Sequence, residues 1–220
     1  MKKIIISSNT SWNIINFRLN LIEKLIANKF QVILIVPLDG DAYRLKELNV
    51  KIYNLKIKSR KISIIEGLKS IYQYYKIFKI EKPNFFLGYT IKPNIFGSIA
   101  SSLFRNIKTC NNVTGLGTFY FANFFFKILI INLYKFSLLK SSIIFFQNED
   151  DKNFFLKNKI INKKKNFIVI GGSGVDTNIF AYSKLTNHDS ALKFSFISRI
   201  IVDKGINELI EAINIVKLKY

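Results

Sequence analysis

The feature that most constrains the fold is a regular alternation of short apolar runs with helical patterns. Seven runs of four to six residues recur along the first 170 positions: Lys3–Ser7, Gln31–Val36, Val50–Leu55, Phe85–Gly88, Thr109–Val113, Ile143–Gln147 and Phe167–Ile170. Several are apolar throughout rather than alternating. This pattern is typical of parallel strands that helices cover on both faces.

Helices are predicted between these strands. The segments with helical spacing are Phe17–Ala27, Ala42–Leu48, Ile64–Ile80, Ile95–Phe104, Phe121–Leu139 and Glu149–Asn158. Ser63 and Glu66 have the spacing of a capping box at the start of the third helix. The alternation of strand and helix predicts an α/β fold with a doubly wound, mainly parallel sheet.

The pattern changes after Ile170. A turn-rich, polar segment leads to a strand, Phe194–Ile197, and to a helix, Ile206–Leu218. A βα unit of a parallel sheet continues into a second parallel strand, and no such pattern follows. We therefore expect a first domain over residues 1–181, a linker over 182–192, and over 193–220 the truncated start of a second domain.

Composition argues against several kinds of site. Cys110 is the only cysteine, so an internal disulfide and a cysteine-cluster zinc site are excluded, and a histidine-based metal site would have to be built on His188, the only histidine. His188 lies in a polar stretch and is interpreted as a solvated linker residue. We expect neither a metal nor a cofactor.

The net charge of +20 permits a nucleic-acid partner, but residue usage argues against one. Of the 34 basic residues 29 are lysine and five are arginine, whereas arginine is the favoured fork for bases and phosphates. An anionic membrane surface fits such a charge equally well. We expect no nucleic-acid binding.

The most hydrophobic region is Phe119–Phe146, which Lys127, Lys135 and Lys140 interrupt. A membrane span needs about 20 mostly uncharged residues, so no transmembrane helix is predicted. The three lysines do not share one helical face, so an interfacial helix is not predicted either. The apolar run after Met1 is too short for a secretory signal.

The loops after the strands are the candidate binding segments, because ligands of open α/β sheets bind at the carboxyl ends of strands. The first loop, with Asn9, either faces a sugar or phosphate or is a well-capped turn. Thr114, Gly115, Leu116 and Gly117 form a glycine loop before a helix, which can bind an anion or simply turn.

Two further pairs of polar residues stand at predicted helix starts. Lys92 and Asn94 lie at the mouth of the helix after the fourth strand. Arg199 and Lys204, followed by Gly205, precede the last helix. Two cations oppose the dipole at a helix N-terminus, which indicates a diphosphate between them; solvated loop charges are the alternative.

Five segments together resemble the retaining GT-B glycosyltransferases of family 4, in their order and spacing. They are YTIKPNIFGSIA (89–100), NVTGLGTFYF (112–121), IFFQNEDDKNFF (144–155), IGGSGVDTNIF (170–180) and FISRIIVDKGINELIEA (196–212). NFR (16–18) is also similar. The resemblance implies two Rossmann-like domains, of which the N-terminal one takes the acceptor and the C-terminal one the nucleotide sugar.

The resemblance also implies the chemistry. Arg199, Lys204 and Gly205 would bind the donor diphosphate without a metal, and Gly115 and Gly117 would line the cleft near the transferred sugar. The implied donor is a UDP-sugar carrying a hexose or N-acetylhexosamine. The implied acceptor is a polyprenyl-linked saccharide at the inner face of the cytoplasmic membrane, in surface polysaccharide or glycan biosynthesis.

The family's acidic Glu-x7-Glu segment is not found after Gly205. We therefore expect a truncated or split glycosyltransferase that is inactive alone, with a second chain as the possible source of the rest. The alternative is a non-catalytic module or accessory subunit that binds an acceptor or a membrane surface.

Overall fold

The computed structural model describes residues 1–40, 42–56, 64–116, 123–184, 193–198 and 200–219. The chain divides into two compact units, Met1–Phe180 (unit 1) and Ala181–Tyr220 (unit 2). The predicted capping residue Ser63 and the predicted linker residue His188 lie outside the described residues.

Unit 1 is built on one sheet of parallel strands. The strands are β1 (Lys3–Ser7), β2 (Gln31–Val36), β3 (Lys51–Asn54), β4 (Phe85–Tyr89), β5 (Lys108–Val113), β6 (Ile143–Phe146) and β7 (Phe167–Val169). Their order is β3-β2-β1-β4-β5-β6-β7, and every pairing is parallel. All seven predicted strands, and the doubly wound α/β fold, are confirmed.

Helices cover both faces of this sheet. They are α1 (Ser11–Phe17), α2 (Leu19–Ala27), α3 (Ile64–Glu81), α4 (Ser98–Ser101), α5 (Phe124–Ser137) and α6 (Glu149–Lys157). The predicted helix Ala42–Leu48 has those bounds but is a 3₁₀ helix, and a π-helical turn, Pro93–Gly97, precedes α4.

Two apolar cores explain why the strands are apolar throughout. Ile4 and Ile6 of β1 belong to one core, beneath α1 and α2, whereas Ile5 belongs to the other, beneath α3, α5 and α6. Successive side chains of a strand point to opposite faces of the sheet. A strand with helices on both faces therefore has no position left for a solvated side chain.

The helix predicted over Phe17–Ala27 is confirmed as α2, which begins at Leu19, but the expectation that Ser8–Asn13 is a loop throughout is wrong. Helix α1 already begins at Ser11, and its N-cap Thr10 accepts a hydrogen bond from the backbone N–H of Asn13. The cap satisfies a helix donor that would otherwise be unpaired. Burial of Ile14 and Ile15 on the sheet then stabilises a helix whose first residues have low helix propensity.

The predicted helix Ile95–Phe104 starts earlier and winds differently. Its first described turn is the π turn, and Gly97 allows this segment to approach the sheet closely. A Cβ atom at Gly97 would lie 2.2 Å from Cζ of Phe86, so no larger residue fits there without movement of the core.

Unit 2 contains a 3₁₀ turn, Val202–Lys204, and the helix α7 (Ile206–Lys219). The helix is confirmed, but the predicted strand Phe194–Ile197 is wrong. Residues 193–198 are irregular, and Phe194 and Ile197 are 90% and 94% exposed. A strand needs a neighbour for its backbone hydrogen bonds, and no described residue pairs with this segment. The linker and the incomplete second domain stay predictions.

Among the helices that the structure describes, none combines the length and the apolar character that a membrane crossing requires.

A candidate ligand cleft at the carboxyl edge of the sheet

A cleft of about 600 Å³ opens in unit 1 where the strands end. Its walls come from the α1–α2 junction, from Tyr89 and Asn112 on β4 and β5, and from residues 170–180 after β7. These elements meet because parallel strands bring their carboxyl ends to one edge of the sheet. That edge is the usual ligand-binding side of a doubly wound fold.

Arg18 enters this cleft at the break between α1 and α2. Its backbone leaves the helical conformation, with φ −130° and ψ −3°. Its N–H still donates to the carbonyl of Ile14 at 2.8 Å, and its carbonyl accepts from the N–H of Ile22 at 2.9 Å. The two helices therefore meet at Arg18 with these hydrogen bonds retained, and Arg18 is 5% exposed.

The Arg18 guanidinium is held from two sides. Its central carbon lies 4.0 Å from the centre of the Tyr89 ring, an arrangement that favours a cation. Its Nη1 donates to Oγ of Ser173 at 2.9 Å and to the carbonyl of Phe17 at 3.2 Å. Nε has no acceptor among the described residues.

The charge of Arg18 is not balanced by a carboxylate in the described part of the chain, whose ion pairs all lie elsewhere. Burial lowers the pKa of Arg18, and the neighbouring Tyr89 opposes that shift. Arginine nevertheless stays protonated in proteins. A buried cation without an anionic partner costs stability, and an anionic ligand would offset that cost.

Buried polar atoms without a partner concentrate at the same edge. Among the described residues they are Ser8 Oγ, Asn13 Oδ1, Arg18 Nε, Glu66 Oε2, Asn111 Oδ1 and Asn112 Oδ1. Ser8 and Asn13 flank the start of α1, and Asn112 lines the cleft with Arg18. Because most buried polar groups are hydrogen-bonded, the unpartnered atoms of the two cleft residues, Arg18 and Asn112, mark the cleft as a candidate place for hydrogen bonds to a ligand.

The rim of the cleft is apolar. Trp12 and Phe17 form an edge-to-face pair with ring centres 5.3 Å apart, and both are partly exposed. Val175, Ile179 and Phe180 are each at least 70% exposed on the opposite wall. A buried cation beneath an apolar rim suits an anion that carries a hydrocarbon group.

The segment after β7 is shaped to meet Arg18. Gly172 and Gly174 have φ of +93° and +73°, which glycine adopts without the strain other residues incur. Between them, Ser173 Oγ accepts hydrogen bonds from Arg18 and from Nε2 of Gln147, the latter at 3.2 Å. Hydrogen bonds from the Asn178 backbone and the Asn20 amide lower the pKa of Asp176.

The first loop is a capped turn rather than an open anion site. The N–H groups of Ser11 and Asn13 already donate to Asp39 and Thr10, each at 3.2 Å. The backbone N–H of Asn9 donates to Oγ1 of Thr90 at 3.3 Å. Asn9 lies outside the walls of the cleft.

The glycine loop after β5 is described only in part. Gly115 has φ +113°, and Leu116 is 2% exposed and anchors the loop in the core. Thr114 is half-buried, whereas Gly117 lies outside the described residues. The role of this loop beside a transferred sugar stays a prediction.

Asn94 lies in the π turn that begins the helical segment after β4, but its side chain is directed into the interior. It is fully buried, its Nδ2 donates to the carbonyl of Asn112 at 2.8 Å, and its Oδ1 accepts from Nδ2 of Asn111 at 3.0 Å. It therefore joins the π turn to β5. Lys92 is buried as well, and burial lowers its pKa while Glu66 opposes the shift.

The predicted diphosphate residues belong to unit 2. Gly205 has φ +77° and its N–H donates to the carbonyl of Val202 at 2.9 Å, so it ends the 3₁₀ turn immediately before α7. Lys204 is exposed beside it. Arg199 lies outside the described residues, and the diphosphate site stays a prediction.

Sequence reasoning did not select Arg18 as a site residue. It noted only that NFR (16–18) is similar to a known pattern. The available signal was a rare arginine at an apolar position of a helical pattern, in a chain whose basic residues are mostly lysine. The break that aims this side chain could not be anticipated, because neither glycine nor proline marks it.

The doubly wound sheet with a cleft at its carboxyl edge defines a Rossmann-like α/β protein. A family model described as Glycosyl transferase 4-like matches residues 3–148. The chain belongs to this family.

Two curated relatives match most of the chain. The N,N'-diacetylbacillosaminyl-diphospho-undecaprenol alpha-1,3-N-acetylgalactosaminyltransferase of Campylobacter jejuni is 26% identical over 96% of this chain and 60% of its own length. The capsular polysaccharide biosynthesis glycosyltransferase CapM of Staphylococcus aureus is 27% identical over 82% of this chain and 50% of its own. The chain thus spans between half and three fifths of these relatives.

Solved structures share the fold at low identity. A glycosyltransferase from Rickettsia africae matches 84% of this chain and 46% of its own, with a TM-score of 0.62 and 17% identity. MurG of Acinetobacter baumannii covers 80% of this chain and 46% of its own, with a TM-score of 0.54 and 15% identity. Anabaena Alr3699/HepE, solved in complex with UDP, matches 83% of this chain and 47% of its own, with a TM-score of 0.57 and 14% identity. The shared fold is the Rossmann-like sheet of GT-B glycosyltransferases.

Proposed function

We propose that this protein is a glycosyltransferase that transfers a hexose or N-acetylhexosamine from a UDP-sugar to a polyprenyl-diphosphate-linked saccharide, with unit 1 as the acceptor side. The reaction is of the retaining, metal-independent type and serves surface polysaccharide or glycan biosynthesis. Membership in the Glycosyl transferase 4-like family supports the class of reaction.

The observation that carries the acceptor assignment is Arg18 at the floor of the cleft. The acceptor's diphosphate is anionic and its polyprenyl chain is apolar. The cleft offers a matching pair of environments: a guanidinium with an unpartnered Nε and a rim of exposed Trp12, Phe17 and Val175. A charge-assisted hydrogen bond to phosphate is among the stronger polar contacts in proteins.

The names of related proteins support the substrates. The Campylobacter relative is named for a diphospho-undecaprenol acceptor, and the S. aureus relative for capsular polysaccharide biosynthesis. One structure with the same fold was solved in complex with UDP. These are the substrate classes that the proposal extends to this chain.

The proposed donor site is formed by Arg199, Lys204 and Gly205. Positive charge there would stabilise the diphosphate that departs as the glycosidic bond of the donor breaks, so the reaction would need no metal. The proposed place of action is the inner face of the cytoplasmic membrane, where a polyprenyl-linked acceptor is anchored.

Binding of a short polyprenyl diphosphate tests the acceptor assignment. Isothermal titration with farnesyl diphosphate should show binding to the wild-type chain and binding about 10–100-fold weaker to Arg18→Gln, because a hydrogen-bonded buried charge contributes about 1.5–3 kcal/mol. Arg44→Gln, which removes an exposed arginine from the same unit, should bind like the wild type.

Farnesol separates loss of the cation from collapse of the cleft, since it carries the same chain without phosphate. Arg18→Gln should bind farnesol as the wild type does, and Arg18→Lys should recover part of the diphosphate affinity. Equal affinity of wild type and Arg18→Gln for farnesyl diphosphate would overturn the acceptor assignment.

A further inference from the structure

Helix α5 presents an apolar stripe to solvent. Phe125, Ile128, Leu129 and Phe136 are exposed, and Leu139 continues the stripe in the turn after the helix. Their spacing of three, four and seven residues places them on one face. Phe125 and Phe136, at 82% and 61% exposure, are unusual for aromatic residues that serve only the fold of a single unit.

A second cleft, about 700 Å³, lies at the C-terminal end of this helix. Leu138, Ile160 and Ile161 are buried in its floor. Four lysines line it: Lys135, Lys159, Lys163 and Lys165. Leu139 belongs to both the stripe and the cleft, and Lys135 of α5 also lines the cleft, so the two features form one continuous surface, which we call the α5 surface.

Among the described residues of α5 and of the second cleft, no acidic side chain balances the charge of the lysines. Helix α5 contains no acidic residue, and none lines the second cleft. The ion pairs of the described residues include none of its four lysines. Lys165 donates to the carbonyl of Leu139 at 2.9 Å, and burial lowers the pKa of Lys165, so an anion beside this lysine would offset the cost of its charge.

An occupant of this surface must be apolar and anionic together. A second copy of the chain is disfavoured, because each copy carries a net charge of +20 and like charges repel. A nucleic acid matches the lysines but leaves the aromatic stripe in water. A bilayer that contains anionic phospholipid matches both, since apolar side chains enter the acyl boundary while lysines meet phosphates.

We propose that the α5 surface is a docking site for an anionic phospholipid bilayer, with a lipid phosphate held in the lysine-lined cleft and the stripe buried at the acyl boundary. The inference deepens the proposed function and rests on it, because a polyprenyl-linked acceptor reaches the protein from a membrane.

The position of α5 in the fold suits this role. The helix follows β5 and precedes β6, so it begins at the carboxyl edge of the sheet and ends at the amino edge. Fourteen residues at about 1.5 Å per residue span about 21 Å. A bilayer lying along the stripe would therefore reach both edges, including the edge that holds the Arg18 cleft.

Co-sedimentation with vesicles tests the site. The full chain should bind vesicles of phosphatidylcholine mixed with phosphatidylglycerol and should bind pure phosphatidylcholine weakly. Lys135→Gln/Lys163→Gln should lower the partition coefficient on mixed vesicles by on the order of tenfold or more, because each lysine near an anionic surface contributes about a factor of five. The charge-matched control Lys24→Gln/Lys46→Gln should lower it much less.

A second pair of variants, one substitution and its matched control, tests the apolar stripe. Phe136→Ser should weaken vesicle binding at low and at high salt, because burial of a ring is not screened. Tyr43→Ser removes an aromatic ring of similar exposure, 65% against 61%, from the 3₁₀ helix, and should leave binding unchanged. Equal losses for a variant and its matched control would overturn the proposal.

Two further outcomes would also count against the proposed bilayer docking site. Equal binding to neutral and mixed vesicles would overturn the role of the lysine cleft. Binding of a polyglutamate peptide that competes fully with mixed vesicles and is lost in Lys135→Gln/Lys163→Gln would assign the surface to an acidic protein partner instead. Since the vesicles carry no polyprenyl diphosphate and Arg18 is intact in every variant, these failures are separable from failure of the proposed function.

Discussion

The two edges of the sheet differ in whether their buried polar groups have partners within the protein. At the amino edge, Glu81 is 5% exposed and accepts hydrogen bonds from Lys51 at 2.6 Å, Tyr53 at 2.5 Å and Lys3 at 3.2 Å. At the carboxyl edge, Arg18 has no carboxylate partner among the described residues, and the side chains of Ser8 and Asn112 carry buried oxygens without a partner.

This difference separates stability from binding within one unit. Burial alone would raise the pKa of Glu81, but hydrogen bonds from Lys51, Tyr53 and Lys3 bring it to about 2. Its charge is thus satisfied by the protein, and the amino edge ties β1 and β3 to the end of α3. The carboxyl edge leaves donors and acceptors unpaired among the described residues, at some cost in stability, and this is the edge to which we assign binding.

Removing the satisfied charge should have the largest effect on stability. Glu81→Gln should lower the free energy of unfolding by about 1–3 kcal/mol, because three hydrogen bonds to a carboxylate are weakened, with allowance for the solvent around Lys51. Urea denaturation measures the loss. Glu47→Gln, an exposed carboxylate in the same unit, should change stability by less than about 0.5 kcal/mol. Equal losses of stability in Glu81→Gln and Glu47→Gln would contradict the claim that the hydrogen bonds of Glu81 stabilise the fold.

The same network predicts an acid dependence. Since the folded-state pKa of Glu81 is about 2 and the ordinary value is 4.5, its contribution is complete above the ordinary value and declines as pH falls towards the folded value. The stability difference between wild type and Glu81→Gln should therefore be greatest near neutral pH and shrink below about pH 4.5. A difference that grows on acidification would contradict this assignment.

Adjacent serines offer the finest comparison. Both Ser7 and Ser8 are fully buried, but Ser7 Oγ donates to the carbonyl of Ile35 at 2.6 Å and hydrogen-bonds the Tyr74 hydroxyl at 2.7 Å, whereas Ser8 Oγ has no partner among the described residues.

Ser7→Ala should cost about 1–2 kcal/mol, because it leaves the buried Tyr74 hydroxyl unpaired. Ser8→Ala should change stability by less than about 0.5 kcal/mol. Urea denaturation of both variants checks the pair. A larger loss for Ser8→Ala would show that its hydroxyl serves the fold.

The sheet was predictable because its signal is local. An apolar run between turn residues, such as Gln31–Val36, predicts a buried parallel strand from its own residues, and in unit 1 each such run has a strand beside it to pair with. The tail run Phe194–Ile197 carries the same signal and is irregular, because pairing with another strand decides the outcome and no local pattern reports it.

The site depended on contacts between distant segments. Asn94 follows a strand and precedes a helix, as a ligand-binding residue would, yet Asn111 and Asn112 on the next strand bury it. The α5 stripe was missed for a related reason. Lysines interrupt the apolar pattern of α5, so the sequence does not show which of its faces is buried. The packing of Ile130 and Tyr134 in the core shows that the face with the stripe is exposed.

The central claim is that the amino edge serves stability while the carboxyl edge serves binding, and one paired measurement tests it. Urea midpoints and farnesyl diphosphate affinities are measured on the same samples of wild type, Glu81→Gln and Arg18→Gln. We predict that Glu81→Gln lowers the midpoint and keeps the affinity, and that Arg18→Gln loses the affinity with a smaller change in midpoint. Loss of affinity in Glu81→Gln together with retained affinity in Arg18→Gln would contradict the claim.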